Sequence, residues 1–152
     1  MKLVTVFGAS GRMGQAQVRQ LLLAGYQVRA ITRKKGVFKD ENVTEVSADY
    51  NDPESLDNAI EGADAAFYNK PSFEQVTKMI DFCAAVGAAA ARADVRLIYQ
   101  TAAYAPDDEI GQYNYDRVLA TERALKQGGA RTTIFRPVLF MDNTLTLSLI
   151  HI

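Results

Sequence analysis

The chain has 152 residues, enough for one ordinary domain, and its 48% hydrophobic and 23% charged content excludes disordered, collagenous and coiled-coil classes. Lys and Arg total 17 against 18 Asp and Glu, a net charge of −1, so the bulk positive charge that drives direct nucleic-acid binding is absent. One Cys (Cys83) and one His (His151) allow no intrachain disulfide and no zinc cage, and no apolar run approaches the roughly 20 residues of a membrane helix.

The first residues, MKLVTVFGASG, lack the layout of a signal peptide, and the expected location is cytoplasmic. Leu3 to Phe7 is a short apolar run ending at a glycine turn, which predicts a strand buried on both faces. After Gly14, Val18, Leu21 and Leu22 recur at helical spacing, and Gly25 follows as a stop. Tyr26 to Ile31 predicts a second strand and Val43 to Ser47 a weaker third. Asp52-Pro53-Glu54 predicts a helix start: Asp caps, Pro fits the first position, and Glu meets the positive helix end. That helix stops near Gly62, and Ala63 to Tyr68 is the fourth strand. A longer helix is predicted from Ser72 to about Ala93, with Val76, Met79, Ile80 and Cys83 on one face and an alanine-rich end. Val95 to Tyr99 is strand five, Tyr113 to Gln127 a helix stopped by Gly128-Gly129, and Thr132 to Phe135 strand six. Strands alternating with helices predict an α/β fold with a doubly wound parallel sheet.

Gly8-Ala9-Ser10-Gly11-Arg12-Met13-Gly14 sits between the first strand and the first helix. Glycines there permit the tight turn, the close approach of backbone to a pyrophosphate, and close helix–strand packing. The positive helix end then faces the phosphates. Arg12 and Met13 are placed to lie over a dinucleotide. A plain turn that uses its glycines for geometry alone is the alternative. No Gly-Lys-Ser or Gly-Lys-Thr follows, so this is not a nucleoside-triphosphate loop.

NAD sites carry an acid after strand two for the ribose 2′-hydroxyl. Here the segment reads Ile31-Thr32-Arg33-Lys34-Lys35. Arg33 can stack on adenine and hold a 2′-phosphate, with Lys34 or Lys35 adding charge, which favours NADP(H) over NAD(H). A solvated basic turn is the competing reading. Asp49, just past strand three, can accept from an adenine amino group.

These features, with Ala48-Asp49-Tyr50-Asn51-Asp52-Pro53-Glu54-Ser55-Leu56, Glu122-Arg123-Ala124-Leu125 and Ile134-Phe135-Arg136-Pro137-Val138-Leu139-Phe140-Met141-Asp142-Asn143, resemble the NmrA-like group of atypical short-chain dehydrogenases/reductases. The resemblance runs to Asn143 and implies an NAD(P)-binding Rossmann domain followed by a smaller substrate region. It implies either an NAD(P)H-dependent reductase of a quinone or a similar small carbonyl or aromatic acceptor, or a non-catalytic dinucleotide sensor with a regulatory protein partner. It places Gly8, Ser10, Gly11, Arg12 and Met13 at the dinucleotide phosphates, Arg33 at the 2′-phosphate, and Asp49 with Tyr50 near adenine. Asn69, Lys70 and Pro71 fall on the ribose and nicotinamide side, and Thr101 faces the nicotinamide.

Two features depart from the family pattern. Classical reductases of this class use Tyr-x-x-x-Lys, one turn apart, to move a proton. Here Tyr113 to Arg117 offers Tyr-x-x-x-Arg, a candidate catalytic pair, and an exposed helix start making local contacts is the alternative. Residues 1–143 then form the Rossmann domain and residues 144–152 a short tail. Its end, Leu-Ser-Leu-Ile-His-Ile, reads either as a seventh strand or as a translated adapter joined to a truncated frame, which leaves the substrate region largely missing and an inactive fragment as a third expectation. Cys83 is expected as a packed thiol, and Tyr99 and Tyr104 as core or rim aromatics.

Overall fold

The computed structural model describes residues 2–71, 75–101 and 104–137. In chain order these form β1 (Leu3–Phe7), α1 (Arg12–Leu23), β2 (Gln27–Ile31), β3 (Val43–Val46), α2 (Pro53–Ile60), β4 (Ala65–Tyr68), α3 (Val76–Arg92), β5 (Arg96–Gln100), α4 (Tyr113–Gln127) and β6 (Thr132–Phe135). The element order matches the one expected, with strand ends differing by a residue or two. Ser72, the expected start of α3, and the tail lie outside the described residues.

The strands form one parallel sheet in the order β3-β2-β1-β4-β5-β6. This is the doubly wound dinucleotide-binding order, and its switch point lies between β1 and β4, where a crevice opens beyond the strand ends. The sheet separates two apolar cores. Val4, Val6, Val28 and Ala30 pack with Val18 of α1 on one side. Phe7, Ile31, Tyr68 and Tyr99 pack with Leu56, Cys83, Val86 and Leu125 of α2, α3 and α4 on the other. Thr5 is buried on this second side, and its hydroxyl donates to Ala59 O at 3.0 Å. Arg29 donates to Ala59 O and Glu61 O, so both side chains satisfy carbonyls at the α2 C-terminus. At the other end of α2, Asp52 Oδ1 accepts from Glu54 N–H at 3.0 Å, as its position before Pro53 predicts.

The alanine-rich part of α3 has a second reason to be small. A Cβ on Gly87 would stand 2.3 Å from Leu125 O, and one on Gly128 would stand 2.4 Å from Ala88 N. The α3 and α4 backbones therefore meet directly. Gly87→Ala should lower stability by about 1–3 kcal/mol, because overpacking outweighs the better helix propensity of alanine. A urea melt checks this; a variant as stable as wild type would show that the helices can separate without cost.

Cys83 is buried, with its thiol 4.0 Å from Tyr68 Oη, and burial pushes its pKa up to about 11. It should therefore resist thiol reagents at pH 8 in the folded chain and react fully in denaturant. The raised value also gives a sign. The protonated thiol is the folded form, so its contribution is present below about pH 9 and is lost as pH rises towards about 11. Alkylation of the folded chain at the unfolded rate would contradict this packing.

Candidate functional site

The switch point holds a cleft of about 780 Å³. Its lining comes from four places: the β1–α1 loop, the ends of β2 and β3, the segment after β4, and the first turns of α3.

The glycine loop forms its head. Gly8 adopts φ +66°, a conformation that glycine takes without strain. Gly11 N–H donates to Gly8 O at 3.0 Å, closing the turn. A Cβ on Gly14 would lie 2.2 Å from Gly8 O and 2.6 Å from Ala9 Cα. The first turn of α1 thus lies directly on the loop, with Gly11 at its N-cap, no side-chain cap and no acid of its own there. Its leading N–H groups and positive end face the cleft with Ser10, Arg12 and Met13.

Asn69 lines the cleft and also has a structural task. It is buried, and its Nδ2 donates to Phe7 O at 3.0 Å and to Gln17 Oε1 at 2.7 Å. Its carbonyl also sits where a Cβ on Gly8 would reach 3.0 Å. Asn69 lines the cleft and at the same time braces the loop against α1 and the end of β4. Gln17, its partner, has no motif in the sequence.

Arg33 lines the cleft, whereas Lys34 and Lys35 do not. Tyr50 stacks on Phe82 with ring centres 4.9 Å apart, and burial pushes its pKa up, against the lowering effect of Arg33 nearby. Phe7 and Tyr68 close the floor behind it, with Tyr99 stacked on Tyr68 at 5.7 Å. Asp49 Oδ1 accepts from Asn51 N–H at 2.9 Å and from Asn51 Nδ2 at 3.0 Å, and these bonds hold its carboxyl below the usual range. Lys78 and Phe82 reach the cleft from α3. They are four residues apart, so they share a stripe beside the Met79–Cys83 stripe that the apolar spacing marks.

Beyond β4, Lys70 and Pro71 line the cleft. Lys70 Nζ donates to Met79 Sδ at 3.2 Å, and burial, then Arg117, lowers its pKa. Thr101 is buried, and its N–H donates to Phe135 O, so it continues the β5–β6 ladder and is not among the lining residues. Tyr113 is 65% exposed. Arg117 lies over its ring at 5.7 Å, with its Nε buried and unpartnered among the described residues. Neither lines the cleft. Tyr104 is exposed and meets Tyr115 edge-on.

Glu122 and Arg136 join two of the segments singled out in the sequence. The Glu122 side chain is 3% exposed and accepts from Arg136 Nη2 at 2.6 Å and Nε at 3.0 Å, tying α4 to the exit of β6. Among the described residues no helix is long and apolar enough to cross a membrane, and no group of His, Cys, Asp and Glu could hold a metal ion.

The family profile of NmrA-like proteins matches residues 1–151. The chain belongs to the NmrA-like family. This NmrA-like protein is 32% identical over 151 residues to a Streptomyces griseus (4-alkanoyl-5-oxo-2,5-dihydrofuran-3-yl)methyl phosphate reductase, covering 95% of this chain and 50% of that one. Triphenylmethane reductase of Citrobacter sp., solved with NADP(H), superposes with a TM-score of 0.77 at 29% identity, over 93% of this chain and 51% of that one. A Bordetella bronchiseptica enzyme solved with NAD+ shares the fold, with a TM-score of 0.74 at 22% identity over 91% of this chain and 56% of that one. The chain therefore spans about half the length of the relatives it matches.

Proposed function

We propose that this NmrA-like protein binds NADP(H) in preference to NAD(H) and works as an NADPH-dependent reductase of a quinone or a similar small carbonyl or aromatic acceptor. The observation that carries the reading is the meeting, in one cleft, of the Gly8–Gly14 loop and Arg33. A Cβ at Gly14 would meet Gly8 O and Ala9 Cα, so α1 packs on the loop only because glycine stands there. The reductase names of its Streptomyces and Citrobacter relatives, and the NADP(H) bound to the latter, support it.

In this reading the loop and the α1 terminus hold the pyrophosphate with backbone N–H groups. Arg33 holds the 2′-phosphate, with Lys34 adding charge, and Asp49 with Tyr50 borders the adenine. Asn69, Lys70 and Pro71 border the nicotinamide ribose, with Thr101 behind them. A bound nicotinamide supplies the hydride, and the chain supplies binding and orientation. Lys70, a cationic residue of the cleft lining next to Asn69 and Pro71, would hold a hydrogen bond to the ribose or the acceptor.

Titration calorimetry with NADPH and with NADH is the test, followed by NADPH oxidation across a quinone panel. Tighter NADPH binding and turnover are expected. Equal affinities would remove the Arg33 role, and no binding to a folded chain would remove the cofactor reading.

One observation favours a second reading, a dinucleotide sensor that acts on a regulatory partner. Tyr113 is 65% exposed, and neither it nor Arg117 lines the cleft. Tight NADPH binding without turnover of any acceptor would favour it over the reductase.

A further inference from the structure

The connection from β2 to β3 spans residues 32–42 and carries Arg33, Lys34 and Lys35. Parallel strands need a crossover, usually a helix. Here the crossover is irregular and is held at three points. At its start, Thr32 N–H donates to Val46 O, and Thr32 Oγ1 accepts from Lys34 N–H at 3.1 Å. At its end, Asp40 Oδ1 accepts from Asn42 N–H at 2.9 Å. Its middle is held from outside by Glu45 on β3. One carboxylate oxygen accepts from Gly36 N–H at 2.6 Å and the other from Phe38 N–H at 2.8 Å. Gly36 turns there at φ +72°, and Phe38 packs against the α1-side core.

Among the described residues Glu45 forms no ion pair, and neither do Arg33, Lys34 and Lys35. The carboxylate uses both oxygens on backbone N–H groups, which are strong charge-assisted bonds. It therefore shapes the basic turn without neutralising it. Glu45 itself does not line the cleft.

We propose that Glu45 is a positioning residue for cofactor choice: by clamping Gly36 and Phe38 it holds the turn that sets Arg33 at the cleft, and so sets the discrimination between a 2′-phosphate and a 2′-hydroxyl. This rests on the NADPH preference proposed above. The two bonds also hold the Glu45 carboxyl below its usual range, so the clamp stays charged at neutral pH.

The test compares wild type, Glu45→Gln and Glu45→Ala by calorimetry with NADPH and with NADH. Gln keeps one acceptor and turns an amide NH2 towards a backbone N–H; Ala removes both acceptors. The NADPH-to-NADH affinity ratio should fall by about 5- to 20-fold, more in Ala than in Gln, with NADH affinity little changed. Amide exchange at Gly36 and Phe38 should speed up. A generally destabilised chain would weaken both cofactors together and leave the ratio in place, which would overturn the positioning role. An unchanged ratio in variants of a wild type that prefers NADPH would overturn it too, leaving the Arg33 reading intact. A wild type without preference would overturn both.

Discussion

Gly14→Ala should cost this chain its dinucleotide affinity, on the order of 100-fold or more for NADPH and NADH alike. The added Cβ would stand 2.2 Å from Gly8 O, 2.6 Å from Ala9 Cα and 2.8 Å from Ala9 C. All three are backbone atoms, so no side chain can swing aside. Either α1 lifts from the sheet or the loop opens, and both moves displace the N–H groups from the cleft. Alanine's helix propensity favours the substitution by only about 1 kcal/mol. Gly11→Ala separates folding from binding. Its Cβ would meet only Gly8 O, at 3.3 Å, so the chain should fold while the methyl group intrudes where a pyrophosphate approaches. Calorimetry and a urea melt on both variants check this. Binding within threefold of wild type in both would sink the phosphate-cradle reading of the loop.

Arg33→Ala should weaken NADPH by about 10- to 100-fold and NADH by less than about threefold, as expected for loss of a charge-assisted bond to one phosphate. Arg33 is exposed at the mouth of the cleft, so the preference should also shrink as salt rises. Lys34 and Lys35 do not line the cleft and act only through their field, so their alanine variants should change the ratio far less. Titration at two ionic strengths gives both readings. An Arg33→Ala chain that retains its preference would move the 2′-phosphate elsewhere.

Much of this architecture is legible in the residues. The apolar run Leu3–Phe7, the glycines that follow it and the periodic Val18, Leu21 and Leu22 specify a strand, a tight turn and a helix by local physics alone. Asp52 before Pro53 caps α2 because both effects act within one turn. Arg33 is legible for a topological reason: a residue just past the second strand of a doubly wound sheet ends up beside the switch point. The contributions of Lys78, Phe82 and Gln17 are not legible, because no local rule names them. Lys78 and Phe82 lie on a stripe that the apolar spacing of α3 does not mark. Gln17 gains its role only when Asn69, far along the chain, comes within 2.7 Å.

The sequence by itself determined the element order, the cap of α2, the glycine loop and the basic turn, since each depends on residues a few positions apart. Only the tertiary structure decided which of those residues share a cleft. It brought Arg33 to the cleft and left Lys34 outside it. It buried Thr101 in a strand ladder, left Tyr113 exposed beside Arg117, and gave Asn69 to bracing the loop. It also made Gly87 and Gly128 the points where two helices touch. The physical reason is the same in each case. Hydrogen bonds and steric contacts between residues distant in sequence depend on where the sheet sets the chain in space, and local propensity carries no information about that distance.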